Sequence, residues 1–138
     1  MNLIPQVKEL VPSRGTCRTD ALTVLNYAGL NKETLMLLRE RFPKLKVKKE
    51  KKGCFAEFSC GGTLPAADAG TKPDAYVLRV TENAIRIDAA SESGLFYGIQ
   101  TFLQLPRPIP CLEIRDYAAI PLRMIHWDLK GYQPKPEV

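Results

Sequence analysis

Four acidic residues in the second half of the chain, Asp88, Glu92, Glu113 and Asp116, could in principle act as general acids and bases. A pair of carboxyl groups does such chemistry only when the fold holds each within reach of the proton that it transfers. Nothing in the spacing of these four residues fixes such an arrangement. We therefore predict that they are solvated or cap secondary structure, and that they are not catalytic.

Cysteine and histidine are the other residues with reactive side chains. The four cysteines, Cys17, Cys54, Cys60 and Cys111, contain no C-x-x-C pair, and the single histidine, His126, cannot complete a usual zinc set with them. We expect no metal and no other cofactor. The cysteines are predicted to be buried or half-buried thiols, with a Cys54 to Cys60 disulfide as the alternative. Core or interface positions are predicted for His126 and Trp127, because no partner base is near them in the sequence.

A net charge of +5 raises the question of nucleic-acid binding. Much of the basic charge lies in one segment, at Lys44, Lys46, Lys48, Lys49, Lys51 and Lys52. Its first residues alternate lysine with apolar side chains, which is the period of a strand with one wet face. No aromatic residue or arginine is interleaved to stack on bases. We predict a solvated edge strand or hairpin arm, protected from edge pairing by its lysines, and no nucleic-acid partner.

The length and composition suit a single globular domain, with 138 residues of which 45% are hydrophobic. The first ten residues have no positive cluster followed by an apolar run, so they do not read as a secretory signal. The longest apolar runs are far shorter than a membrane span. We expect a soluble cytoplasmic protein with no membrane partner.

The elements that must position these residues begin with a short strand at Ala21–Tyr27, which stops at an Ala-Gly turn. Asn31 can cap a helix that is predicted at Lys32–Phe42, because its apolar residues recur at helical spacing before a proline. The segments 44–50 and 54–60 are predicted to form a hairpin, and the segment 61–73, rich in glycine and proline, a surface loop.

The second half has cleaner patterns. Alternation over 75–80 and 84–88 predicts a hairpin. Ser91 or Ser93 can then cap a helix, whose predicted core stripe is Leu95, Phe96, Ile99, Phe102 and Leu103. Gly94 and Gly98 cost this helix about 1 kcal/mol each relative to alanine, which indicates close contact with a strand.

The last predicted elements are an edge strand at Cys111–Tyr117 and an apolar strand at Ile120–Leu129 that nothing in the sequence covers. The set as a whole predicts an α+β fold, a mostly antiparallel sheet with two helices packed on one face.

The segment Tyr76–Leu105, with its hairpin ending IRIDA and its helix GLFYGIQTFLQL, resembles the small domain that precedes the catalytic barrel in glycoside hydrolase family 20, the β-N-acetylhexosaminidases. The segment Ile114–Tyr117 and the following PLRMIHWDLK resemble the entry into strand one of that barrel. The resemblance implies a non-catalytic accessory domain over residues 1–118. Residues 119–138 would be the first strand and the start of a truncated (β/α)8 barrel.

The resemblance also implies roles for two residues. Arg123 matches an arginine that binds hydroxyls of the terminal sugar, and Asp128 a supporting acidic residue; Met124 departs from the glycine that is common in the family. On its own, Arg123 would be interpreted as a strand-end arginine paired with a carboxylate.

The implied reaction is substrate-assisted retaining hydrolysis of a terminal N-acetylhexosamine, which uses an Asp-Glu pair further along the barrel. We expect the chain by itself to be inactive, with its own downstream barrel and an N-acetylhexosamine-containing glycan as partners of the full-length protein. The alternatives are an independent carbohydrate- or nucleic-acid-binding module, and the equivalent domain of an O-GlcNAc hydrolase or α-glucuronidase.

Overall fold

Seven strands and two helices make up the part of the chain that the computed structural model describes, namely residues 2–19, 23–26, 30–47, 54–61, 64 and 72–120. In chain order they are β1 Glu9–Cys17, β2 Thr23–Asn26, α1 Lys32–Arg41, β3 Lys46–Val47, β4 Phe55–Cys60, β5 Tyr76–Val80, β6 Ala84–Ala89, α2 Glu92–Leu103 and β7 Ile109–Asp116. The predicted α+β class is confirmed.

All seven strands belong to one sheet, in the order β1-β7-β5-β6-β4-β2-β3. The pairs β1 with β7, β7 with β5 and β5 with β6 are antiparallel. The pairs β6 with β4, β4 with β2 and β2 with β3 are parallel. More residues pair antiparallel than parallel, because two of the three parallel ladders are short, so the predicted mostly antiparallel sheet is confirmed.

Both predicted helices form, and each begins at the predicted cap. The side chain of Asn31 accepts a hydrogen bond from the backbone N–H of Thr34 at 2.8 Å, which satisfies one of the free donors at the start of α1. Ser91 does the same for the N–H of Gly94 in α2, at 3.3 Å. Phe42 lies one residue beyond the end of α1.

The core lies between the sheet and the helices. Helix α2 packs over the central strands β4, β5 and β6, and α1 packs beside α2. The two helices meet through Phe42 and Phe102, whose rings stack with centroids 5.3 Å apart. Of the predicted stripe on α2, Leu95, Ile99 and Phe102 are buried, whereas Phe96 is 42% exposed and was wrongly placed in the core. Phe96 lies at the margin of the stripe, where helical spacing does not separate a core position from a rim position.

The predicted contact between the glycines of α2 and a strand is confirmed. A Cβ at Gly98 would lie 2.6 Å from Cγ2 of Ile87 on β6 and 3.0 Å from the ring of Tyr76 on β5. Helix and sheet are therefore so close at this point that a side chain on residue 98 would have to displace buried side chains of the sheet.

The predicted hairpin of segments 44–50 and 54–60 is wrong. Strand β2 lies between β3 and β4 and pairs with both in parallel. A parallel neighbour requires a crossover connection, and α1 supplies it between β2 and β3. Lys46 does lie at the edge of the sheet, as predicted, and is exposed.

The other end of the sheet, formed by β1 and β7, also differs from the prediction. Strand β7 is not an edge strand, because β1 covers it on the outside. No strand was predicted at Glu9–Cys17, where Pro12 and Gly15 interrupt the sequence and nearly every residue is exposed. The register of β1 against β7 shifts between Pro12 and Thr16, and Gly15 has a φ of 100°, so glycine is needed there.

Several predictions fall outside the described residues. They are the apolar strand beyond Ile120 and most of the loop 61–73. The domain boundary at residue 118 stays a prediction. Neither α1 nor α2, the helices of the described ranges, has the length and apolar run needed to cross a membrane.

Candidate functional site

A groove of about 560 Å³ lies beside the end of β7. We call it the junction groove and define it by Ile4, Lys8, Phe96, Gln100, Asp116 and Ile120, which are among the residues that line it. The groove therefore brings together the N-terminal segment, one side of α2 and the chain that follows β7.

The floor of the junction groove is polar. The Tyr76 hydroxyl lies 2.6 Å from Oγ1 of Thr101 and donates to Oδ2 of Asp116 at 3.2 Å. The other oxygen of Asp116 accepts the backbone N–H of Lys8 at 3.2 Å. Burial raises the pKa of Asp116, although these hydrogen bonds oppose the shift, and burial also raises the pKa of Tyr76. The carboxylate is thus engaged on both oxygens and ties β7 to the N-terminal segment.

The rim of the junction groove is apolar and exposed. Ile4 is 79% exposed, Phe96 42% and Ile120 63%. The N-terminal segment is held against α2 by the amide of Gln104, which accepts the N–H of Ile4 at 2.9 Å and donates to its carbonyl at 3.0 Å. Exposed apolar side chains that cluster around a groove are typical of a surface that contacts another protein or domain.

The face of the sheet opposite the helices carries a network of charges. It consists of residues that alternate with the buried ones along β1, β4, β5, β6 and β7: Glu9, Glu57, Ser59, Arg79, Arg86, Asp88, Glu113 and Arg115. We call this surface the charged face. Strand register places Glu113 opposite Arg79, Glu57 opposite Arg86 and Glu9 opposite Arg115. Cross-strand pairs of opposite charge stabilise such a surface.

Arg79 and Glu113 are central to the charged face. Nε of Arg79 lies 2.9 Å from Oε2 of Glu113, and its Nη1 lies 3.1 Å from Oδ2 of Asp88. Arg115 approaches the other oxygen of Glu113 at 2.6 Å. Burial alone would raise the pKa of Glu113, but the hydrogen bonds and charges of Arg79 and Arg115 together lower it. Asp88 and Glu113 are therefore ion-paired, and Asp116 lies on the other face, so these acids form no catalytic pair.

Glu113→Gln should destabilise the domain by about 0.5–1 kcal/mol at pH 7, since it removes one partially exposed charge from two ion pairs. Because folding lowers the pKa of Glu113, its ionised form stabilises the domain at pH values above about 4.5, the pKa in the unfolded chain. This contribution is lost as the pH falls through the pKa of the folded state. The difference in Tm from the unmodified chain should therefore be present at pH 7 and shrink at pH 3. Glu40→Gln, at an exposed position of α1, is the control, and a difference for Glu113→Gln that is equal at both pH values would contradict the prediction.

The sequence-predicted site residues have different outcomes. Arg123, Asp128, His126 and Trp127 lie outside the described residues. Glu92 lies in the first turn of α2, where its charge favours the helix start, and this agrees with the predicted capping role. Of the lysine run, only Lys44 and Lys46 are described.

The cysteines are free, three buried and Cys60 exposed, so the alternative Cys54 to Cys60 disulfide is not formed. In the described ranges no group of three or more His, Cys, Asp or Glu side chains could hold a metal ion. The junction groove was not predicted from the sequence, because Lys8, Tyr76, Thr101 and Asp116 are far apart in the chain and no motif joins them.

The chain was compared with known families and structures. The family model described as glycosyl hydrolase family 20, domain 2, matches residues 1–117. No curated protein sequence matches the chain.

Three similar solved structures share the fold. CpGH84B has 20% identity and a TM-score of 0.64, covering 83% of this chain and 22% of that one. CpGH84D has 19% identity and a TM-score of 0.63, covering 84% and 24%. The β-N-acetylhexosaminidase from Bacteroides fragilis NCTC 9343 has 21% identity and a TM-score of 0.59, covering 83% and 24%.

At these identities the likeness to solved structures establishes the fold alone, and the chain spans less than a quarter of the length of each. The match to the family model covers residues 1–117, which include every strand and helix from β1 to β7. It also agrees with the resemblance of Tyr76–Leu105 to the small domain of the hexosaminidases. The chain therefore belongs to glycosyl hydrolase family 20, domain 2.

Proposed function

We propose that this chain is the accessory domain of a β-N-acetylhexosaminidase-like glycoside hydrolase, and that its role is to brace a catalytic barrel. The match to domain 2 of family 20 over residues 1–117 carries this proposal. The substrate would be a glycan with a terminal N-acetylhexosamine. The reaction would be substrate-assisted retaining hydrolysis, in which the acetamido oxygen of the sugar attacks the anomeric carbon.

The junction groove is the surface that we propose for contact with the barrel. Its apolar rim at Ile4, Phe96 and Ile120 is exposed, and the described part of the chain ends at Ile120 itself. A catalytic domain that follows in the sequence would begin beside this groove. The charged face suits the contact less well, because its carboxylates and guanidinium groups already pair with one another and would have to be desolvated.

In this proposal Arg123 binds hydroxyls of the terminal sugar and Asp128 supports it, while the acid/base Glu and the orienting Asp belong to the sequence that follows. Asp88 and Glu113 are bound by Arg79, and Asp116 by Tyr76 and the N–H of Lys8, so none of these three acids is held as an acid or base for such chemistry. The chain by itself should therefore be inactive.

Two measurements test the proposal. Residues 1–138 should give no turnover of a chromogenic N-acetylglucosaminide, whereas the protein extended by the coding sequence beyond Val138 should hydrolyse it. In the extended protein, Arg123→Ala should lower kcat/KM at least 100-fold, because a sugar-binding contact would be lost, and Arg18→Ala is the matched control. Turnover by residues 1–138 alone, or a stop codon directly after Val138, would contradict the proposal.

A second candidate is the same domain in a different glycoside hydrolase, an O-GlcNAc hydrolase. The likeness in fold to CpGH84B and CpGH84D is at least as great as that to the Bacteroides fragilis enzyme, so the fold does not single out a hexosaminidase as the parent. The following sequence separates the two. An adjacent Asp-Glu pair at the end of a barrel strand supports family 20, and paired aspartates support the O-GlcNAc enzyme.

A further inference from the structure

Two thiols far apart in the sequence touch inside this domain. Sγ of Cys17, at the end of β1, lies 3.2 Å from Sγ of Cys54, immediately before β4. Both residues are buried, with 4% and 6% of their surface exposed. Neither sulfur belongs to the junction groove or to the charged face, and the proposed function uses neither of them.

Backbone hydrogen bonds hold the two cysteines in place. After Cys17 the chain crosses the turn between β5 and β6, where the N–H of Arg18 donates to the carbonyl of Glu82 at 3.0 Å. On the other side of this turn, the N–H of Phe55 donates to the carbonyl of Asn83 at 3.1 Å, and that of Thr23 to the carbonyl of Cys54 at 3.0 Å. One tight turn thus fixes both sulfur-bearing residues, which gives the pair a high effective concentration.

A basic cleft reaches one member of this pair, Cys17. It has a volume of about 540 Å³, and Cys17 is one of its lining residues. Arg18, Lys44 and Arg107 also line it, and among the described residues that line it none is acidic. A positive cleft raises the local concentration of small anions, so it favours an anionic reagent over a neutral one.

The hydrogen bond between the two sulfurs shifts their pKa values in opposite directions. It raises the pKa of Cys17 and lowers that of Cys54, against the effect of burial on Cys54. The pair therefore loses its first proton to give a thiolate that the remaining S–H stabilises. A thiolate is the form of cysteine that attacks a disulfide.

We propose that Cys17 and Cys54 are a redox-active dithiol, which closes to a disulfide by exchange with a small anionic disulfide such as oxidised glutathione. The thiolate of the pair attacks one sulfur of the oxidised glutathione, whose S–S bond breaks, and one glutathione thiolate leaves. The second cysteine loses its proton and attacks the protein sulfur of the mixed disulfide. The Cys17–Cys54 bond forms, the second glutathione leaves as a thiolate, and both glutathiones take up the protons lost by the cysteines.

The disulfide would join the end of β1 to the start of β4. The loop it closes contains β2 and β3, which form the parallel edge of the sheet, and the helix α1 that connects them. Closing a loop of this size restricts the unfolded chain and stabilises the folded one. The redox state of the pair would thus control how firmly this edge and α1 are attached, independently of the proposed glycosidase role.

The experiment uses the Cys60→Ser chain, because the exposed Cys60 would otherwise react with glutathione itself. After incubation with oxidised glutathione, thiol titration should fall from three free thiols to one, that of Cys111. Trypsin digestion under acidic, non-reducing conditions should yield peptide 15–18 linked to peptide 53–79, which contains only Cys54 in this variant. The Tm should rise by about 5–15 °C and return after reduction with dithiothreitol.

The double variant Cys54→Ala, Cys60→Ser is the matched control, and it should gain neither the linked peptide nor the rise in Tm. Three thiols that stay free would overturn the proposal, as would a link from peptide 15–18 to peptide 87–115, which carries Cys111. Glutathione that remains attached to either cysteine of the pair in the Cys60→Ser chain would also overturn it, because the other cysteine would then have failed to resolve the mixed disulfide.

Discussion

Gly94→Ala is expected to lower the free energy of unfolding by about 2–3 kcal/mol, although alanine is the better helix former by about 1 kcal/mol. A Cβ at this position would lie 2.6 Å from the carbonyl oxygen of Ala75 and 3.1 Å from the carbonyl carbon and oxygen of Asp74. These are backbone atoms, and the Ala75 carbonyl also accepts the N–H of Ala90 at 2.9 Å. Urea unfolding followed by circular dichroism measures the loss as a lower midpoint at unchanged slope.

Gly98→Ala provides the comparison within the same helix. Its Cβ would meet Cγ2 of Ile87 at 2.6 Å and the ring of Tyr76 at 3.0 Å, which are side-chain atoms and not backbone atoms, so no main-chain segment has to move. The expected loss is smaller, about 1–2 kcal/mol. If Gly94→Ala were as stable as the unmodified chain, or more stable than Gly98→Ala, α2 would not rest on the backbone of residues 74–75 as the structure has it.

The elements that were predicted correctly are local ones. The β5–β6 hairpin joins two alternating segments through a three-residue turn, and α2 follows with its cap at Ser91. All of the information for these elements lies within about one turn or one strand of chain. The spacing of Gly94 and Gly98 added one correct tertiary inference, because a glycine pair within a helix has a cost that only close packing offsets.

The errors concern which strands are neighbours. Alternation assigns the side chains of a strand to two faces but does not identify the strand beside it. The segments that became β3 and β4 therefore looked like a hairpin, although β2 inserts between them from earlier in the chain. For β7, the alternation of Cys111–Tyr117 was interpreted as an edge strand, but Glu113 and Arg115 pair across strands on the open face of an interior one.

The candidate sites also differ in whether they depend on local sequence or on the folded sheet. Arg123 and Asp128 came from a resemblance and lie outside the described residues. The junction groove and the Cys17–Cys54 pair depend on residues that only the folded sheet brings together. No periodicity or motif could reveal them, because Lys8 and Asp116 are 108 positions apart.

Phe102→Ala should have the largest effect of any single change proposed for the isolated domain, a loss of about 3–5 kcal/mol. Phe102 is 1% exposed and stacks on Phe42 with an angle of 8° between the rings. Arg107 covers Phe42 with its guanidinium 4.7 Å from the ring centroid, so the stack has little freedom to close the cavity. Loss of this contact should separate α1 from α2. Urea unfolding would measure it, and a loss below about 1 kcal/mol would contradict the packing described for the two helices.

Phe96→Ala is the matched control, with the same residue type on the same helix but 42% of its surface exposed at the rim of the junction groove. In residues 1–138 its expected cost is below about 1 kcal/mol, since little buried surface is lost. In a protein extended by the proposed catalytic domain, the same change should lower Tm by several degrees more than in the isolated domain, because Phe96 would then be covered. An equal effect in both proteins would rule out the junction groove as the contact with the barrel, while leaving the role of Phe102 in the core untouched.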